Sequence, residues 1–280
     1  MDSGKLYILQ YRPGGEIIEM DPDGGNRRTL LGNLLDNLDG IVIDKRSKTL
    51  YWTNMGPAIG PHEGEFFQAD GSIECIGLNG ANRHMLVGHG LTVTPKQVTA
   101  DFSAGFLYWC DREGMRVMRS NLDGSNVTVL VRNGVFPADS HDVMRHCVGI
   151  AVDPVNRYIY WTQKGPPDGG KGRIFRSGLE IPAGQQPENR TDIELLIDHL
   201  PEPIDLSFDT LLDQVRVPAE QHGCDDSDLS HDVRRQHSCD GLGRFDLGWI
   251  GNQNLELLAG RCIIRLQQAQ ELRFVGRRRE

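Results

Sequence analysis

Hydrophobic positions in this chain fall in short runs of period two, broken by polar turns, and the runs return in the same order. Gly149 to Thr162 reads Gly-Ile-Ala-Val-Asp-Pro-Val-Asn-Arg-Tyr-Ile-Tyr-Trp-Thr, and Gly40 to Thr53 and Val98 to Cys110 are altered copies of it. In every copy an aspartate stands seven residues before a tyrosine: Asp44 and Tyr51, Asp101 and Tyr108, Asp153 and Tyr160. A fixed register in three copies is the mark of a repeat protein. Each copy predicts a hairpin, in which a β-branched run leads through a polar turn into an aromatic strand ending Tyr-Trp. A third strand follows at Ser72 to Gly80, Arg116 to Gly124 and Gly172 to Glu180, and Asn-Gly and Asp-Gly pairs supply turns that need positive φ. Fourth strands are predicted at Asn82 to Val87, Asn126 to Val131 and Asp192 to Ile197. Four antiparallel strands in sequence order, repeated, predict the blades of an all-β propeller.

Tyr51-Trp52-Thr53-Asn54, Tyr108-Trp109-Cys110-Asp111 and Tyr160-Trp161-Thr162-Gln163 resemble the Tyr-Trp-Thr-Asp (YWTD) repeats of the low-density lipoprotein receptor six-bladed β-propeller, also called class B repeats. The Leu-Asp-Gly turn and the third-strand arginines Arg119 and Arg176 match that pattern. Cys75 stands where the second blade would carry the arginine, and Asp111 alone keeps the final aspartate of the motif. The resemblance spans roughly residues 5 to 209 and implies about four recognisable blades. The first blade, Lys5 to Gly32, has strands at Leu6 to Gln10, Glu16 to Asp21 and Arg28 to Leu31, with Leu6-Tyr7-Ile8-Leu9 in place of the Tyr-Trp strand. Recognition of a protein or peptide on a propeller face is what the family resemblance implies.

Composition narrows the partners. The chain has 280 residues, 38% apolar and 25% charged, an ordinary globular balance and enough for one large all-β domain. A formal net charge of −9 argues against nucleic acid and against an anionic membrane. There is no apolar leader before the strand at Leu6 and no run of membrane-spanning length, so no membrane insertion is expected and the compartment is read as cytoplasmic, an intracellular-type member of the family.

Candidate chemistry sits where successive blades carry polar residues at equivalent places. Strand entrances read Leu38-Asp39-Gly40, Pro95-Lys96-Gln97, His146-Cys147-Val148 and Glu202-Pro203-Ile204-Asp205. The loops after the aromatic strands begin Asn54-Met55, Asp111-Arg112 and Gln163-Lys164. Lys96, Asp111, Arg112, Gln163 and Lys164 are the expected ligand contacts, for a protein or a small polar ligand. The competing reading makes the same groups loop caps and hydrogen bonds between blades. No nucleotide-binding glycine motif, phosphate loop, nucleophile elbow or His-Glu-x-x-His is present, so no catalytic residue, resident metal or cofactor is assigned. The alternative is a calcium-dependent hydrolase or lactonase of the six-bladed propeller group, with Asp39, Asn54, Asp111 and Asp205 as a ring of oxygen ligands. Of the six cysteines, Cys110 and Cys147 are expected to be reduced core residues, while His222-Gly-Cys224 and His237-Ser-Cys239 fit no zinc spacing.

Glu202 to Asp209 opens a fifth unit whose aromatic strand then fails to appear, so the chain divides into propeller blades at 1–209 and an atypical tail at 210–280. Tyr-Trp-Thr read two bases late gives Leu-Asp, and Leu212-Asp213 follows Asp209 closely. The tail is therefore read as out-of-frame or disordered, which would leave the ring incomplete and its strand edges open to self-association. Sequencing the transcript across codons 209–213 is expected to reveal the displaced frame; an unshifted message contradicts it.

Overall fold

The computed structural model describes residues 4–10, 15–34, 36–57, 65–208, 247–250, 254–259 and 262–268. Blade 1 is a three-stranded antiparallel sheet of β1 (Leu6–Gln10), β2 (Gly15–Met20) and β3 (Arg28–Leu34). Blade 2 is β4 (Leu38–Asp44), β5 (Thr49–Asn54), β6 (Ser72–Gly77) and β7 (His84–Val87). Blade 3 is β8 (Pro95–Asp101), β9 (Phe106–Asp111), β10 (Arg116–Asn121) and β11 (Thr128–Arg132). Blade 4 is β12 (Cys147–Asp153), β13 (Tyr158–Gln163), β14 (Gly172–Gly178) and β15 (Glu194–Leu200), and β16 (Pro203–Phe208) begins a fifth unit. Strands pair in sequence order within each complete blade, as the repeat predicts. One turn of 3₁₀ helix, Val143–Arg145, precedes β12. A separate compact unit, 207–266, contains the antiparallel pair β17 (Leu247–Ile250) and β18 (Asn254–Ala259). The His-x-Cys pairs and Leu212-Asp213 lie outside the described residues.

The repeated aspartate closes the first hairpin of each blade. Asp153 Oδ1 accepts from the amides of Val155 and Asn156, both at 3.0 Å, and Asp101 Oδ1 accepts from the Ser103 and Ala104 amides and the Ser103 hydroxyl. Asp44 does the same for Arg46 at 2.8 Å. These are turns in which a short carboxylate stands in for a backbone acceptor. The turn then takes a residue of positive φ, namely Lys48, Gly105 or Arg157, and the aromatic strand starts in register.

Because strand side chains alternate, Tyr and Trp of one pair face opposite neighbours. Trp52 lies among Ile17, Leu30 and Leu34 of blade 1, whereas Tyr51 packs with Val98, Leu107 and Trp109 of blade 3. Tyr108 in turn joins Ile159 and Trp161 of blade 4. Trp52, Trp109 and Trp161 are all fully buried. Truncating such a side chain costs about 3–5 kcal/mol, so two adjacent residues per repeat hold blades 2 and 3 to both of their neighbours.

The innermost strands β4, β8 and β12 approach one another directly across blade boundaries. Each is bulged at the same point, between Leu38 and Ile41, Pro95 and Val98, and Cys147 and Ile150. A Cβ on Gly40 would lie 2.6 Å from the Val98 nitrogen and 2.7 Å from the Lys96 oxygen; one on Gly149 would lie 2.7 Å from Asp205 Cα. Only glycine fits there. The motif threonine completes the junction: Thr53 Oγ1 accepts from the Gly40 amide at 2.7 Å and donates to the Lys96 carbonyl at 2.6 Å. Thr162 accepts from Gly149 at 2.8 Å, and the Cys110 thiol donates to the Gly149 carbonyl at 3.3 Å.

Candidate functional site

The shared bulge re-aims the residues beside it. Asp39 and Lys96 occupy the same bulge position in blades 2 and 3, and Gln97 stands where Gly40 and Gly149 stand in their own blades. The Lys96 ammonium forms an ion pair with Asp39 Oδ2 and lies 3.4 Å from Met55 Sδ, while Gln97 Nε2 donates to Asp39 Oδ1 at 3.0 Å. Both members of the ion pair are about 15% exposed, with side-chain values of 14% and 15%, so the pair is shielded without being closed off. Asp205 stands on β16 at the place Gln97 holds on β8 and carries a largely buried carboxyl. Burial pushes Asp205 up to about 6; the Leu206 amide opposes the rise, and the charge of Asp39 adds to it. Asp39, Lys96 and Gln97 thus form one polar cluster on the inner strands, with Asp205 near enough to feel the Asp39 charge.

The other expected contacts lie apart from it, in pairs of their own. Asp111 is fully buried, and its Oδ1 accepts from the Val93 and Thr94 amides at 3.0 and 2.7 Å. Its Oδ2 accepts from Arg116 Nε at 3.0 Å, across from it on β10. Gln163 holds the equivalent place in blade 4, where its Oε1 accepts from Arg173 at 2.5 Å. Asn54, in blade 2, donates to Asp36 at 3.0 Å and Glu74 at 3.3 Å. Local hydrogen bonding thus engages the residue after the motif threonine in all three blades.

Arg112 Nε donates to Glu113 Oε1 at 2.6 Å, and its guanidinium sits 5.7 Å from the Phe66 ring centre. Glu113 Oε2 is buried without a hydrogen-bond partner among the described residues. His146 nearby is held below the usual imidazole range by burial, against the pull of Glu113. Lys164 pairs with Glu202 at 2.6 Å, and Glu202 also accepts from the Asp168 amide at 2.8 Å. Sequence reading missed Glu113 and Glu202 as partners of Arg112 and Lys164; adjacency in the chain was the available signal for Glu113, and Glu202 had none. Among the described residues no group of three or more His, Cys, Asp and Glu side chains is arranged to hold a metal ion.

No protein-family model matches the chain. A low-density lipoprotein receptor-related protein 1 of Pyricularia oryzae is 46% identical over 218 residues, covering 74% of this chain and 67% of that protein. A 3-hydroxyacyl-CoA dehydrogenase-like protein of Cochliobolus heterostrophus is 36% identical over 210 residues, covering 74% of this chain and 42% of the relative. The chain thus spans between two fifths and two thirds of these curated relatives. Among solved structures, the nidogen/laminin complex contains a chain similar in fold, with a TM-score of 0.53, 20% identity, and coverage of 74% of this chain and 66% of that one.

Asp205 yields a signed prediction. Its folded-state pKa lies above the unfolded carboxylate value of about 3.9, so its stabilising contribution is complete below that value and is lost as pH rises through about 6. The loss amounts to at most about 3 kcal/mol by the neutral range. Thermal melts from pH 4 to 7 should therefore show wild type losing stability relative to Asp205→Asn; parallel curves contradict the assignment.

Proposed function

The chain belongs to the YWTD β-propeller family of the low-density lipoprotein receptor, and on that premise we propose that it is a non-catalytic binding scaffold recognising a protein or peptide at a propeller face. The observation that carries this reading is the inner-strand cluster of Asp39, Lys96 and Gln97, with Asp205 nearby, set by bulges that recur in consecutive blades. A lysine ammonium and two carboxylates held on rigid strands suit a polar or charged ligand group, because little side-chain entropy remains to be lost on binding. Arg112 with Glu113, and Lys164 with Glu202, extend the polar character along the loops that follow the aromatic strands. The solved nidogen/laminin complex supports protein recognition as a use of this fold. A small polar ligand at the same cluster is the narrower form of the reading.

No helix among the described residues is long and apolar enough to cross a membrane. Cys110 and Cys147 are buried free thiols, and a reducing cytoplasmic setting suits them. The calcium-dependent hydrolase alternative draws on Asp39 and Asp205, which lie close enough for one charge to act on the other. It draws equally on Asn54 and Asp111, whose polar atoms are engaged within their own blades.

A random peptide library displayed on phage and selected against the purified chain tests the proposal. Enriched peptides are expected to bind wild type without calcium and without being cleaved, and to lose about tenfold or more in affinity to Lys96→Ala, the order of one buried charged contact. Binding indifferent to Lys96, or calcium-dependent hydrolysis of a lactone or ester probe, overturns it.

A further inference from the structure

Blade 2 departs from its sisters at two positions that touch one another. In blade 3 the Arg119 guanidinium lies 4.8 Å from the Phe106 ring centre, and in blade 4 Arg176 lies 4.6 Å from Tyr158. Strand register places Cys75 at the arginine position, opposite Tyr51, and Thr49 at the aromatic position, opposite Gly77. A stacked guanidinium and ring are replaced together by a thiol and a methyl-hydroxyl, and a hollow of about 600 Å³ opens there. Its walls include Ser47, Lys48, Thr49, Cys75, Asn79 and His84.

Within that hollow Cys75 Sγ lies against the His84 ring, 3.4 Å from Nε2 and 3.6 Å from Nδ1. His84 is the cross-strand partner of Cys75 on β7, and its Nδ1 is 3.0 Å from the Asn82 carbonyl oxygen. Nδ1–H donating to that carbonyl leaves Nε2 as the ring nitrogen that can take up the thiol's proton. This is the arrangement of a nucleophile, a base and a group that orients the base. Burial and the Glu74 carboxylate push the Cys75 thiol above its usual range, so a base has work to do there.

We propose that Cys75 is a thiol-modification site at which His84 acts as base and a small carboxylate-bearing disulfide, of the oxidised glutathione class, is the reagent. The Cys75 proton passes to His84 Nε2, the thiolate attacks one sulfur of the disulfide, and the reagent's S–S bond breaks as the mixed disulfide forms. The departing thiolate takes up the proton, so no further oxidant is required. Lys48 supplies a cation for the reagent's carboxylates, and Ser47 and Asn79 supply hydrogen bonds. The attached group occupies the space that the arginine and aromatic side chains fill in blades 3 and 4.

The test is timed reaction of the native chain with oxidised glutathione, followed by peptide mass mapping. Cys75 is expected to react at least about tenfold faster than Cys110 and Cys147, which are 0% exposed in the core. His84→Gln should slow the Cys75 reaction by about tenfold or more, at the low end of general-base effects, and leave its rate in the denatured chain unchanged. Thr49→Phe, which refills the hollow with the thiol intact, should have the same effect. Cys75 reacting no faster than the core thiols, or at an unchanged rate in His84→Gln, overturns the proposal.

Discussion

The structure depends on how closely the inner strands of neighbouring blades approach one another. At Gly40 and Gly149 a single added carbon would collide with the backbone of the next inner strand. The contact is therefore backbone to backbone, and at Gly40 the hydroxyl of the motif threonine ties both strands. The bulge beside the glycine lets strands of adjacent blades come this near while each still pairs with its own aromatic strand. The Tyr-Trp pair acts further out, burying one ring against the preceding blade and one against the following blade. Junction and aromatic layer are two consequences of one strand sequence, since alternation sends successive side chains to opposite blades.

The same constraint places the polar cluster. A bulge turns a residue out of the regular alternation, and in blades 2 and 3 the residues so turned are Asp39 and Lys96. Their ion pair, the Gln97 amide and the largely buried Asp205 carboxyl follow from the strand-to-strand spacing as much as from their own chemistry. The cluster is thus a property of the junction, and side chains on the flanking loops form separate pairs.

Much of the fold was readable because its determinants are local. An aspartate at fixed distance from a tyrosine encodes the turn, the register and both blade interfaces in a dozen residues, and the strands fall where that spacing puts them. Cys75 was recognisable as a substitution for arginine, and the register bears this out. Thr49 was not recognisable as its companion, because a missing aromatic leaves no mark in a strand. The candidate site was less legible. Lys96 does lie on the inner strands, but Asp111 and Gln163, which have the same polar character, are drawn into bonds with Arg116 and Arg173 across the neighbouring strand. Whether a polar residue turns toward a site or toward its own sheet depends on partners that lie 5 and 10 residues away and on a different strand.

Amide hydrogen exchange, followed by mass spectrometry, tests most directly whether the inner-strand junction unites the blades. Segments 38–44, 95–101 and 147–153 should be the slowest to exchange and should open together, at the free energy of global unfolding. Opening of the three segments at separate rates, as blades that come apart one at a time, would contradict the account.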